Sequence, residues 1–311
     1  MAVSLMKRVG GALVTLLVTS FVVYGALYLV PGDPVATLLR GRKVTPEAVA
    51  AVRDQYRLDD PFLVRYWDWL TGFVTGDFGQ SLQFRQDVAG LIASRLPTTA
   101  LLIGLSALLI VIVGLMLGLL SALKPGWVDR SLVATTSIAS SVPVFIGALL
   151  LIYIFSAQLS WFPAFGSGGG SLLERIHHLT LPALALALSY AGIVARVSRS
   201  SFRREATSTR LDAARARGIT GPYLLRHHVV RNGLVPVLTL SGSLIAGLLV
   251  TSQIVEVAFG LNGLGSLLVE SVRSIDFSVV QAIAMIIVAA FILTNMVIDL
   301  LLPLIDPRMR R

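Results

Sequence analysis

No cysteine occurs in the chain, which excludes a disulfide, a thiolate metal site and a cysteine nucleophile. Charge is scarce too: charged residues make up 14% of the sequence, against about 25% in an average soluble domain. The charges fall in clusters that leave long neutral tracts. No stretch reads Gly-x-x-x-x-Gly-Lys-Ser/Thr, so a Walker-type phosphate loop is missing. His177 and His178 are adjacent with no third ligand nearby, a poor basis for a metal site. No residue is therefore assigned a catalytic or metal-binding role.

Apolar residues fill the gap. They are 55% of the sequence, and mean hydropathy is +0.80. About 20 apolar residues carry a helix across a hydrocarbon core of about 30 Å. Six tracts qualify: Val9–Val30, Thr99–Leu120, Leu132–Ala157, Leu179–Ala195, Pro236–Val255 and Val279–Leu302. Backbone in lipid must satisfy its own hydrogen bonds, which leaves helices or closed barrels. The alternating strands of a barrel are absent from the pattern. The expected fold class is all-α, a polytopic membrane protein with about six transmembrane helices. The first tract exceeds a signal-peptide core and runs into Pro31-Gly32-Asp33-Pro34, with no small-x-small cleavage site, so it reads as a retained helix.

The net charge of +9 is distributed by topology. Lys7 and Arg8 precede the first tract, and Lys124 and Arg130 separate the second and third. Arg196, Arg199, Arg203, Arg204, Arg210, Arg215, Arg217, Arg226 and Arg231 lie between the fourth and fifth, and Arg308, Arg310 and Arg311 follow the sixth. Basic residues favour short cytoplasmic loops, which places both termini in the cytoplasm and requires an even number of spans. The loop is tethered to membrane at both ends, which argues against nucleic acid as a partner. Lipid headgroups are a natural contact for some of these arginines.

The expected division is a cytoplasmic N-terminus and first helix over 1–30, an extracytoplasmic segment over 31–98, a five-helix core over 99–302 and a cytoplasmic tail over 303–311. Within 31–98, Thr45-Pro46-Glu47 starts a helix to about Arg57, and Asp60-Pro61 opens another. Phe62, Tyr66, Trp69 and Phe73 form an aromatic stripe on it, either a local core or a face for a partner or solute. A second outer loop, Ser160–His178, holds the run Gly166-Ser167-Gly168-Gly169-Gly170. Gly104, Ser106, Gly114 and Gly118 provide small faces for close helix packing.

The loop 196–231 is organised beyond the needs of a linker. Ser208 or Thr209 caps a short helix through Arg217, Gly218 ends it, and Thr220-Gly221-Pro222 starts a second short helix with Tyr223, His227, Val230 and Leu234 on one face. Asp212-Ala213-Ala214 followed three residues later by Gly218 resembles the "EAA loop" of ABC-importer permeases, with Asp where Glu is common. His228, Arg231, Asn232 and Pro236 continue it in the form of the dipeptide/oligopeptide/nickel permease family. Pro31-Gly32-Asp33-Pro34, Gly76-Asp77-Phe78-Gly79, Glu256, Phe259, Gly263, Gly265, Asn295, Asp299 and Asp306-Pro307-Arg308 match the same family in order. Asn262 replaces its usual proline, and Ile275-Asp276-Phe277-Ser278 is a loose form of its Asp-Tyr-Pro stretch.

The resemblance implies a type I ABC-importer permease in a bacterial or archaeal cell membrane. Its partners would be a second homologous permease, two cytoplasmic ATP-binding subunits that use ATP and magnesium, and an extracytoplasmic substrate-binding protein; this chain would hold no cofactor. Asp212, Ala213, Ala214, Arg215, Arg217, Gly218 and Tyr223 would couple to the ATPases, with His228, Arg231, Asn232 and Pro236 anchoring the loop. Glu256, Phe259, Gly263 and Gly265 would form an outer gate or a binding-protein contact; Glu256 alternatively reads as a solvated interface residue. Asp299 sits near the inner end of its helix and reads as structural. Di- or oligopeptides are the expected cargo, with nickel chelates, glutathione or another small solute as the alternative. A secondary transporter, a channel or an intramembrane hydrolase would want ionisable groups at mid-membrane, which the tracts lack.

Overall fold

The computed structural model describes residues 2–29, 45–55, 59–81 and 83–305. Pro31–Pro34 and Asp306–Arg308 lie outside the described residues, as does the side chain of Asp299. The helices are α1 (Ala2–Leu29), α2 (Pro46–Gln55), α3 (Phe62–Thr75), α4 (Val88–Leu123), α5 (Trp127–Ser141), α6 (Val144–Leu151), α7 (Leu172–Ala206), α8 (Thr209–Ala216), α9 (Gly221–Leu224), α10 (Arg231–Ala258), α11 (Leu264–Arg273) and α12 (Phe277–Ile305). Among the described residues, five helices are long and apolar enough to cross a membrane, or six if one bent pair is a single span.

Three spans depart from the hydropathy reading. The tract Leu132–Ala157 is broken between α5 and α6, which meet at a bend of 100°. Val142 precedes Pro143 and takes φ −76°, ψ 123°, the extended conformation that a following proline ring favours. Beyond α6 the chain continues as a π-helix, Ile152–Gln158. The fourth span is much longer than Leu179–Ala195: α7 runs unbroken through Pro182 and beyond Arg196, since hydropathy marks where lipid ends and not where the helix does. Its start replaces part of the expected loop Ser160–His178, with Ser171 as a cap whose hydroxyl accepts from Glu174 N at 3.2 Å. The second span likewise begins early, with Pro97 inside α4.

The chain divides into two compact units. In one, residues 1–97 and 266–292, the aromatic stripe of α3 meets rings of α1. Phe21 and Phe62 lie edge to face at 5.6 Å, Tyr24 and Trp69 are 5.2 Å apart, and Ser20 and Tyr66 share a hydrogen bond of 2.7 Å. The stripe thus packs on α1 while its rings stay half-buried. A cleft of about 550 Å³, lined by Tyr24, Arg65, Trp69, Phe78, Ser278 and Gln281 among others, opens beside it. The turn after α3 is held by the buried Asp276, which accepts from Ser81 Oγ at 2.5 Å and Gln83 N at 3.0 Å.

In the other unit, residues 98–265 and 293–311, α7 is the central helix and packs against α5, α6 and α10. Leu102, Leu179, Leu186, Val194, Val237 and Leu248 are buried at its core. Close approach depends on small residues: a Cβ on Gly118 would run into Ser198 Cβ and lie 2.7 Å from Ala195 O.

Candidate functional site

The segment between α7 and α10 is an elbow built from local signals. Ser208 stands at the N-cap of α8, φ −82°, ψ 146°, and its hydroxyl accepts from Leu211 N. Arg217 N and Ile219 N bond back to Ala214 O, and Gly218 takes φ +80°, a conformation that glycine adopts at little cost. The chain then restarts at α9. The second helix of the elbow is not short: α9, a π-helical turn over Leu225–Val230 and α10 form one rod, Gly221–Ala258. Pro236 lies within α10 and so inside the rod, where its missing N–H removes one backbone bond.

The predicted coupling residues divide by face. Leu211 and Ala214 are buried against Ala122, Phe202, Leu224 and Val229. Asp212, Ala213, Arg215, Arg217, Gly218 and Tyr223 are exposed. Ala214 therefore owes its size to the chain's own core, whereas Ala213 leaves a low spot on the outer face. Arg215 pairs with Asp212 at 3.2 Å and Arg210 with Glu205 at 3.3 Å. Tyr223 stacks on His227 with centroids 4.1 Å apart. At the base of the rod, Asn232 donates to His228 O at 2.9 Å, an in-helix bond, while Arg231 is exposed.

Beneath the elbow lies a cluster that the sequence reading overlooked. Asp129, in the first turn of α5, is buried. Arg199 Nε and Nη2 donate to its two oxygens at 2.5 and 2.6 Å, Arg203 Nη1 reaches it at 3.3 Å, and Ser121 Oγ donates to it as well. A lone acid inside a basic loop, facing a run of arginines, was the available signal. Arg199 and Arg203 are thereby accounted for by an ion pair.

At the opposite end of the same unit, Glu256 is fully buried, so the solvated-interface alternative fails. Thr99 Oγ1 donates to Glu256 Oε1 at 2.7 Å and accepts from Leu264 N at 2.8 Å. Gly263 lies against the carboxylate where a Cβ would collide with it, and a Cβ on Gly265 would come within 2.6 Å of Gln253 Cα. Phe259 is buried. Helical counting placed Glu256 near a span end, but the return of the chain through Leu261–Leu264 covers it. Thr99 went unnoticed because its partners are distant in sequence. His177 and His178 contact Trp161 O and Gly166 O at 3.1 and 3.0 Å, and no group of three metal-ligating side chains occurs among the described residues.

Comparison with known proteins agrees with this architecture. Residues 111–311 match the family described as "Binding-protein-dependent transport system inner membrane component", and residues 1–103 match its N-terminal companion. The chain is 36% identical over 306 residues to the glutathione transport system permease protein GsiC of Salmonella choleraesuis (strain SC-B67), covering 98% of each. It is 35% identical over 305 residues to the protein of that name in Escherichia coli (strain K12), covering 98% of this chain and 97% of the relative. Among solved structures, the MetNI methionine ABC transporter in an inward-facing conformation superposes with a TM-score of 0.58 at 19% identity, over 70% of this chain and 96% of that one; at that identity the likeness concerns the fold. The chain belongs to the binding-protein-dependent transport inner-membrane family, and it is a permease subunit of an ABC importer. Permeases of this family work with a second permease, ATPase subunits and a binding protein.

Proposed function

We propose that this permease forms half of a pathway for short peptides, glutathione included, and takes up the motion of a cytoplasmic ATPase through the elbow 208–231. The observation that carries the proposal is the two-faced helix α8. Its inner face is anchored by Leu211 and Ala214, and its outer face offers Ala213 between Asp212, Arg215 and Arg217. A small side chain flanked by charges suits a docking groove. Gly218 lets the chain turn back within one residue of α8. ATP and magnesium belong to the partner subunits. Both termini lie in the cytoplasm, segment 31–98 outside, and the core 99–302 in the membrane apart from its cytoplasmic loop 196–231. Glu256, Phe259, Gly263 and Gly265 fix the outer end of the pathway. The cargo assignment draws on the similarity to glutathione permeases along nearly the whole chain.

Co-purification of ATPase subunits with wild-type, Ala213→Trp and Gly218→Val permease tests the docking face. Both variants are expected to reach the membrane and to lose their ATPase subunits. Retention at wild-type stoichiometry would overturn the elbow assignment. For the cargo, labelled glutathione uptake by the complete complex should be competed by di- and tripeptides. Absence of both uptake and competition would reject peptide transport and leave the elbow assignment standing.

A further inference from the structure

We infer that Asp129 is a positioning residue for transport: it clips the elbow-bearing helix α7 to α4 and α5, so that motion delivered at the elbow reaches the broken third span. This inference rests on the elbow assignment above.

Three chain segments converge on one carboxylate. Ser121 lies in the last turn of α4, Asp129 in the first turn of α5, and Arg199 and Arg203 on the part of α7 that leads into the elbow. Arg199 commits two nitrogens to the two oxygens of Asp129, the paired geometry that fixes orientation as well as distance. The Asp129 side chain is only 9% exposed. Arginines that merely set topology would extend into water or headgroups; this one is turned inward.

A second, apolar fastening joins nearly the same segments. Ala122 follows Ser121, Phe202 precedes Arg203, and both pack against Leu211 and Ala214 of α8. Gly118 of α4 also lies against Ser198 of α7 with no room for a Cβ between them. A load on the outer face of α8 is thus carried into α7, from α7 through Arg199 into Asp129, and from Asp129 along α5. The far end of α5 is the 100° break at Val142 and Pro143, where helical hydrogen bonding is interrupted and rotation meets the least resistance. The ion pair resists sliding of α7 past α5. The hydrophobic contacts hold these helices together without a preferred direction, and the ion pair adds one.

The test uses the complete complex in proteoliposomes, with glutathione as the transported probe. Uptake per ATP hydrolysed is measured for wild type, Asp129→Asn, Asp129→Glu and Arg199→Lys. Independently, the absence of cysteine allows spin labels at Trp127→Cys and Arg210→Cys, both exposed positions, in a complex whose other subunits lack cysteine. The distance between labels is read without nucleotide and in a vanadate-trapped state. Asp129→Asn should lower uptake per ATP on the order of tenfold, within the usual span of coupling between sites, with Asp129→Glu restoring most of it and Arg199→Lys intermediate. The label distance should be the same in both states for wild type and should differ between them in Asp129→Asn. Unchanged uptake per ATP in Asp129→Asn overturns the inference. So does a distance that ignores the substitution, or a shared loss of assembly by all three variants, which would mark the cluster as a folding element. If ATPase subunits fail to bind even wild type, the elbow assignment falls and takes the inference with it. If they bind and wild type takes up no glutathione, the cargo assignment falls and the label distances decide.

Discussion

Two buried carboxylates sit near opposite ends of one compact unit, and they are accommodated in different ways. Asp129 is met by charge: two guanidinium groups and a hydroxyl converge on it. Glu256 is met by space and polarity: Gly263 leaves a recess for it, and the Thr99 hydroxyl links it to the backbone N–H of Leu264. The first arrangement joins α4, α5 and α7 with bonds that depend on ionisation. The second joins α4 to the return after α10 through a hydroxyl and a backbone N–H. A carboxylate near the end of a membrane span therefore need not line a pathway; its neighbours decide whether it conducts, gates or fastens.

Removing a charge partner should have the largest effect. Asp129→Ala leaves Arg199 and Arg203 without the counter-ion they share and should lower the denaturation midpoint of the detergent-solubilised permease more than any change at Glu256. At the other carboxylate, Thr99→Val deletes both the donor to Glu256 and the acceptor for Leu264 N, and a loss of about 2 kcal/mol is expected in the same measurement. Gly263→Val forces a side chain into the space held by Glu256 and should cost about 1–3 kcal/mol, with the loosening visible as faster amide exchange over 261–265. Glu256→Gln is expected to be the mildest, because the amide oxygen still accepts from Thr99. If Glu256→Gln proved as costly as Asp129→Ala, the contrast would collapse.

Much of the elbow was legible in the sequence because its signals are local. Ser208, Gly218 and the Gly221-Pro222 restart each act within a turn of their own position, and the structure uses all of them. The division of Ala213 from Ala214 was not legible. Adjacent helical residues lie about 100° apart, so which one faces inward depends on where Ala122 and Phe202 stand. The third span shows the same limit. Its tract carries no charge, yet Pro143 breaks it, and both halves pack on α7. The aromatic stripe of α3 was visible as a period, but its packing partner became visible only with the rings of α1.

The sequence by itself determined that this protein is helical, that it lives in lipid, and where the chain turns, because hydropathy, caps and glycines act on the residues that carry them. Only the tertiary structure decided which charges are fastenings. Asp129 and Arg199 are seventy positions apart, as Thr99 and Glu256 are more than twice that, and no local rule relates them. Burial makes an unpaired charge costly, and it is the fold that brings each partner within reach.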